Sequence, residues 1–299
     1  MKKIQNIKKS LKLAFFFFLI CCFRLEAAEE PCFIIGDIQY QLGNQMFQVA
    51  AVYSLALDHH CQAYFPDLAT EFWWNFSTNR EQIFWRLDTS KPVKPFELHF
   101  FEPHYNYTPI PFTPYMRIRG LFQSEKYFVH HKQEILDLFA PSKEIQKYLK
   151  SKYKDLLRLP VTVGLHVRTY LDDYGHLPNN RDLHHFVGIG YYERAIEKFP
   201  EDTVFVVFSD RIEWCKENFA HIPRRFIYIE NEAYYHDLYL MSMCTHQIIA
   251  NSSFSWWGAY LNLNPNKIVI APTRWVNPDW GYRTQDVIPE SWIKVEVDP

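Results

Sequence analysis

An α/β fold with two parallel-sheet domains is predicted by three features of this 299-residue sequence. Five short apolar runs alternate with helical stretches after Val161, the pattern of a parallel sheet with helices on both faces. A separate strand, turn and helix stand near the start. Length and a hydrophobic content of 48% allow two cores.

The first 28 residues differ in kind. Lys2, Lys3, Lys8, Lys9 and Lys12 precede an apolar run, Leu13 to Phe23, and Arg24-Leu25-Glu26-Ala27-Ala28 follows. The run is short of the ~20 residues of a spanning helix and suits a signal-peptide core. Residues 1–28 are therefore expected to be a signal peptide or short membrane anchor. That places the chain at a membrane, its cytoplasmic face included, or exported through it.

Residues 29–158 read as the first domain. Cys32 to Gly36 is an apolar strand, Asp37 to Asn44 a turn, and Asn44 to His59 a helix with Met46, Ala50, Tyr53 and Leu57 on one face. Gly43 in the turn can take a positive φ and admit a ligand close to the backbone. Residues 66–116 hold many Pro and aromatic residues with weak periodicity and are expected to be irregular. Helices are expected over Glu125–Phe139 and Ser142–Leu157, the second opened by Pro141, Ser142 and Glu144.

Residues 159–299 read as the second domain. Strands are expected at Val161–Val167, Thr203–Phe208, Arg225–Ile229, Gln247–Ala250 and Lys267–Ala271. Helices are expected at Tyr191–Phe199, Ile212–Phe219, Tyr234–Cys244 and Ser253–Leu263. Asn251, Ser252 and Ser253 supply caps for the last helix, whose free N–H groups and dipole suit an anion.

Composition narrows function. A net charge of -2 argues against nucleic acid. Nine Trp and nineteen Tyr suit sugar faces and equally suit a core. Cys32, Cys61, Cys215 and Cys244 lack metal-site spacing. One disulfide is compatible with export, and Cys215 and Cys244 fall on apolar faces as buried thiols. The pairs His59-His60, His130-His131 and His184-His185 are expected at the surface or at caps.

Open parallel sheets bind ligands at the carboxyl ends of their strands. Those ends carry His166 and Arg168, Ser209 and Asp210, Asn251 to Ser253, and Thr273 with Arg274. Two guanidinium groups, a carboxylate and a helix N-terminus can hold a nucleotide diphosphate. Dinucleotide and Walker-type glycine loops are absent from the sequence, as is Asp-x-Asp, so the expected metal complement is none. Arg168 is the candidate for stabilising a leaving diphosphate, against the alternative of an ordinary ion pair. Asp172, Asp173, Asp37 and His166 are candidate general bases.

Several motifs together resemble the α-1,2-fucosyltransferases, a glycosyltransferase family 11-like group. They are Gln41-Leu42-Gly43-Asn44-Gln45-Met46-Phe47-Gln48, Gly164 to Arg168, Phe208-Ser209-Asp210 with Trp214, Asp237 to Cys244, Asn251 to Gly258, and Lys267 to Pro272 with Trp275. The resemblance implies a GT-B-like enzyme with two Rossmann-like domains and the donor site in the cleft between them. It implies inverting transfer of L-fucose from GDP-fucose to a galactose 2-hydroxyl of a glycan acceptor, with no cofactor. Arg168, His166 and Asp173 are then the expected catalytic set. Ser209, Asp210, Asp237, Asn251, Ser252 and Ser253 would line the guanosine and phosphate pocket, approached from the first domain by Gly43, Asn44 and Gln45. The family's second Arg after Arg168 is Thr169 here. That difference supports an alternative, a nucleotide- or glycan-binding relative without transfer; the leader supports another, an exported envelope protein.

Overall fold

The computed structural model describes residues 32–299 apart from 71, 72, 93 and 179–181. The expected leader lies outside the described residues. Among those residues no helix is long and apolar enough to cross a membrane.

The first sheet is built from β1 (Phe33–Gly36), β2 (Gln62–Tyr64), β3 (Glu97–Phe101) and β4 (Met116–Arg119) in the order β2-β1-β4-β3, every pair parallel. Helix α1 (Leu42–Asp58) returns the chain from β1 to β2, and α2 (Asp67–Thr70) and α3 (Phe76–Gln82) follow. The expectation of irregular structure over 66–116 is thus corrected. Two short helices and β3 lie within it, and β4 begins at its end. Strand β4 reads Met-Arg-Ile-Arg and buries alternate residues, a period-2 pattern too short to stand out. Its register sets Gly36 opposite Ile118, so the next residue, Asp37, falls between Arg117 and Arg119 and pairs with both.

Helices α4 (Lys132–Leu138) and α5 (Lys143–Lys152) lead to the second sheet. Ser142 caps α5 as expected, its Oγ accepting the Ile145 N–H at 3.2 Å. The helix expected over 125–139 is broken instead: two single 3-10 turns precede α4, and Phe128 between them leaves helical geometry at φ -147°. Phe128 is fully buried and stacks on Trp257 at 5.5 Å. Tertiary packing therefore overrides a local pattern that suits a continuous helix.

The second sheet contains β5 (Thr162–Val167), β6 (Val204–Ser209), β7 (Arg225–Tyr228), β8 (His246–Ile248), β9 (Val269–Pro272) and β10 (Ile293–Val295). Their order is β10-β9-β8-β5-β6-β7, every pair parallel. Between them run α6 (Leu171–Tyr174), α7 (Ile189–Ile196), α8 (Ile212–Phe219), α9 (Tyr234–Ser242) and α10 (Ser253–Tyr260). Five strands and four of these helices fall where the apolar runs place them. The two parallel sheets make the chain an α/β protein of GT-B-like character.

One apolar core reaches from the first sheet to α9 and α10. At its centre Phe47 of α1 lies 4.5 Å from Trp256 and 5.1 Å from Trp257, ring centre to ring centre. A second core covers the other face of the large sheet, with Tyr191, Tyr192, Phe205 and Phe219. Cys215 and Cys244 are buried free thiols, whereas Cys32 and Cys61 are disulfide-bonded.

Candidate active site

Strand register assembles the site. Val167 pairs with Ser209, so the residues one step beyond, Arg168 and Asp210, leave the sheet side by side. Arg168 Nη1 donates to Asp210 Oδ2 at 3.0 Å and Nη2 to the Asp173 carboxylate. Asp210 is nearly buried and also accepts the Thr169 N–H at 2.9 Å, the Thr169 hydroxyl at 3.0 Å and the Tyr170 N–H at 3.1 Å. Its lone pairs are committed to shaping the turn that presents Arg168.

That turn ends in Tyr170, whose φ of 57° is uncommon for an aromatic residue. The Tyr170 hydroxyl donates to the Asn251 carbonyl at 2.6 Å, and its ring stacks on His184 at 5.1 Å. Asn251, beyond β8, donates from Nδ2 to the carbonyls of His185 and Trp275 at 2.9 and 3.1 Å. Trp275, beyond β9, donates from Nε1 to Gln123 Oε1 at 2.8 Å, and Gln123 donates to Asn44 Oδ1 at 2.6 Å. One chain of hydrogen bonds therefore runs from α1 past the carboxyl ends of β4, β9, β8, β5 and β6. It gathers Asn44, Asn251, Asp210 and Arg168 at one edge.

Ser252 is the N-cap of α10 with extended backbone, its side chain making no capping bond, and Ser253 opens the helix. Both are partly exposed, so the helix N-terminus keeps donors for an acceptor group. Gly43 packs against this same turn. A Cβ on Gly43 would lie 2.5 Å from the Phe254 nitrogen and 2.5 Å from the Ser253 carbonyl carbon. Trp257 Nε1 donates to the Gly43 carbonyl at 3.1 Å. The close approach that Gly43 allows here is that of the Ser253–Phe254 backbone. Gln45 is fully buried, with its amide spent on Tyr40 O, Trp74 O and Asn79.

The proposed bases separate by environment. His166 is buried, its Nδ1 has no partner, and burial pulls its pKa down to about 4, too weak a base to match neutral pH. Asp37 is paired with two guanidinium groups, Asp172 with Arg211, and Asp173 with Arg168. Asp237 on α9, expected in the guanosine and phosphate pocket rather than as a base, is raised to about 7 by burial first and then by the neighbouring Glu232 charge, and its Oδ1 is buried without a partner. Glu232 beside it is held at about 2; burial opposes this, but Lys152, Tyr153, His236 and Tyr148 all bond to the carboxylate. Ser209 donates to Asp210 at 3.3 Å and accepts the Arg211 N–H at 3.0 Å.

Sequence reading missed Gln123 and Tyr170, and it quoted Trp275 without a role. The histidine pair 184–185 is also corrected from surface to interior: His185 is buried and drawn down to about 4 by burial and by Arg274. Among the described residues, Asp58, His130 and His131 could gather around a cation. They stand at the far end of α1, fifteen residues from Gly43 or roughly 22 Å along the helix.

Comparison with known sequences decides the family. The model of Glycosyl transferase family 11 matches residues 7–296. The chain belongs to this family. Among family 11 relatives, an alpha-1,2-colitosyltransferase of Escherichia coli is 36% identical over 59% of this chain and 61% of its own length. The O-antigen biosynthesis glycosyltransferase WbnK of Escherichia coli is 30% identical over 85% of this chain and 97% of its own. Galactoside alpha-(1,2)-fucosyltransferase 2 of Oryctolagus cuniculus is 28% identical over 74% of this chain and 64% of its own. The match thus spans under two thirds of the first and third relatives. Among solved structures, fucosyltransferase NodZ from Bradyrhizobium shares 13% identity and a TM-score of 0.47, over 76% of this chain and 92% of that one.

Proposed function

We propose that this family 11 glycosyltransferase moves L-fucose from GDP-fucose to the 2-hydroxyl of a galactose-containing glycan, with inversion and without a metal. The observation that carries the reading is the hydrogen-bonded strand edge that sets Arg168 and the N-terminus of α10 on one side of the sheet. Departure of the diphosphate leaves negative charge on oxygen, and a forked guanidinium with free helix N–H groups stabilises it where it forms. For this, Arg168 exchanges the half-exposed Asp173 carboxylate for phosphate and keeps the buried Asp210.

The domain boundary is proposed near residue 158, between the two sheets. The disulfide-bonded Cys32 and Cys61 support an exported chain led by residues 1–28. A second donor is favoured by the identity of 36% with the colitosyltransferase.

The test incubates purified protein with GDP-fucose and lactose, in parallel with a colitosyl donor, and reads product linkage by mass and NMR. Fucosyl transfer should survive EDTA and fall about a hundredfold in Arg168→Ala, the loss of one transition-state contact worth about 3 kcal/mol. Arg168→Lys should recover little of it. Activity lost to EDTA and restored by manganese, or an Arg168→Ala enzyme near full rate, contradicts this account of leaving-group stabilisation. Preference for the colitosyl donor replaces the sugar and leaves the site in place.

A further inference from the structure

Two exposed aromatic residues, Tyr40 and Trp74, come from separate loops of the first sheet's end. Tyr40 precedes α1 and is 46% exposed, and Trp74 precedes α3 and is 40% exposed. Their ring centres lie 5.5 Å apart at an angle of 41°. Both residues have left-handed backbone, φ 68° and 47°, and Asn75 beside Trp74 has φ 59°. Bulky residues avoid this region unless the surroundings impose it.

The imposing group is buried polar machinery. Gln45 Nε2 donates to the carbonyl of Tyr40 at 2.5 Å and to that of Trp74 at 3.1 Å, so one amide ties both loops together. Asn79 Nδ2 donates to Gln45 Oε1 at 2.8 Å and to Trp74 O at 3.3 Å, and Tyr234 on α9 donates its hydroxyl to Asn79 Oδ1 at 2.6 Å. Gln45 and Asn79 are buried. Their satisfied amides fix two loops in uncommon conformations whose result is a pair of large rings turned outward. A second pair, Tyr105 and Tyr282, has ring centres 5.0 Å apart. Tyr105 is pushed up to about 12, first by burial and then by the nearby Tyr282, Tyr40, Glu102 and Tyr174, so these rings share one neighbourhood.

We propose that Tyr40 and Trp74 form the stacking platform for a pyranose ring of the acceptor glycan. A pyranose presents a face of C–H groups edged by hydroxyls, and tilted rings with phenolic edges match both parts. Position supports a sugar over another occupant. Tyr40 lies three residues, at most about 10 Å, before Gly43, and Gly43 touches the turn that opens α10. The platform therefore borders the edge that carries the donor-site residues. The inference rests on the proposed glycosyl transfer only for the identity of the sugar.

The test uses the full chain and lactose as probe. In transfer assays, Trp74→Ala and Tyr40→Ala should each raise the acceptor KM about tenfold while the GDP Kd stays unchanged, and Trp74→Phe and Tyr40→Phe should restore most of the loss. Circular dichroism and thermal melts check that each variant is folded. Saturation-transfer NMR of lactose, without donor, gives a second reading: signal in wild-type protein, lost in Trp74→Ala and kept in Trp74→Phe. An unchanged acceptor KM in both alanine variants overturns the platform. Where no transfer is found at all, the donor reading fails, and the NMR still decides the platform. Lactose signal equal in wild type and Trp74→Ala, or absent from wild type, overturns it.

Discussion

Replacing Gly43 by alanine tests what the glycine is for. The new methyl would sit 2.5 Å from two backbone atoms of the Ser253–Phe254 peptide and 2.6 Å from Ser253 Oγ. Ordinary contact requires about 3.5 Å, so α1 and α10 must part by about 1 Å at their starts. Backbone cannot rotate away as a side chain can, which puts the overpacking cost at about 1–3 kcal/mol. The same shift stretches the bond from Trp257 Nε1 to Gly43 O beyond hydrogen-bonding range from its present 3.1 Å. An unpaired buried N–H adds about 1–3 kcal/mol. Better helix propensity of alanine returns about 1 kcal/mol. The net loss is therefore roughly 1–5 kcal/mol, or a fall in Tm of about 2 °C or more per kcal/mol. Urea unfolding followed by tryptophan fluorescence, with GDP titration alongside, reads both consequences. Stability within about 0.5 kcal/mol of wild type, together with weakened GDP binding, would refute the packing role and return Gly43 to ligand approach.

Two further predictions separate buried from exposed charge. Asp210→Ala leaves Arg168 and two turn N–H groups without their buried acceptor and should cost about 3–5 kcal/mol. Asp173→Asn, at the half-exposed side of the same guanidinium, should cost under about 1 kcal/mol while tightening GDP binding. Equal losses in urea unfolding would contradict the division of labour. Glu102 is raised to about 7 by burial, partly offset by the N–H groups of Phe122 and Leu121 and the Tyr127 hydroxyl. Its folded pKa lies above its unfolded 4.5, so its contribution is full below about pH 4.5 and lost as pH rises through about 7. A glutamine there can accept both N–H groups and donate to Tyr127. Glu102→Gln should gain on wild type by on the order of 3 kcal/mol between pH 4.5 and 8. A difference in unfolding free energy that does not vary with pH would show that Glu102 is not buried as a neutral acid.

Legibility in the sequence follows burial on two faces. Strands β5, β6 and β9 are covered on both sides and read as continuous apolar runs. The rule that ligands meet carboxyl ends then finds Arg168 and the Ser252–Ser253 turn. Strand β2 is three residues long, and β4 alternates Met and Ile with Arg, so neither rises above loop composition. The partners Gln123 and Tyr170 are polar residues in connections, joined to the site by contacts 152 and 81 residues away along the chain. No local pattern encodes such a pairing. His184 and His185 look like surface residues because their loop has no periodicity; the stack on Tyr170 and the bond from Asn251 cover them.

The rings of Phe47, Phe128, Phe139, Trp256 and Trp257 form one belt shared by the beginning and end of the chain. Volume lost at Phe47 can be regained only by growth at a ring it touches, so inherited changes here are acceptable mainly in compensating pairs. The surface obeys a different rule. Trp280 and Tyr282 are half-exposed, so a substitution there opens no cavity that a neighbour must refill. Lineages carrying this fold can therefore vary such residues singly, while the interior changes slowly and only by coupled steps.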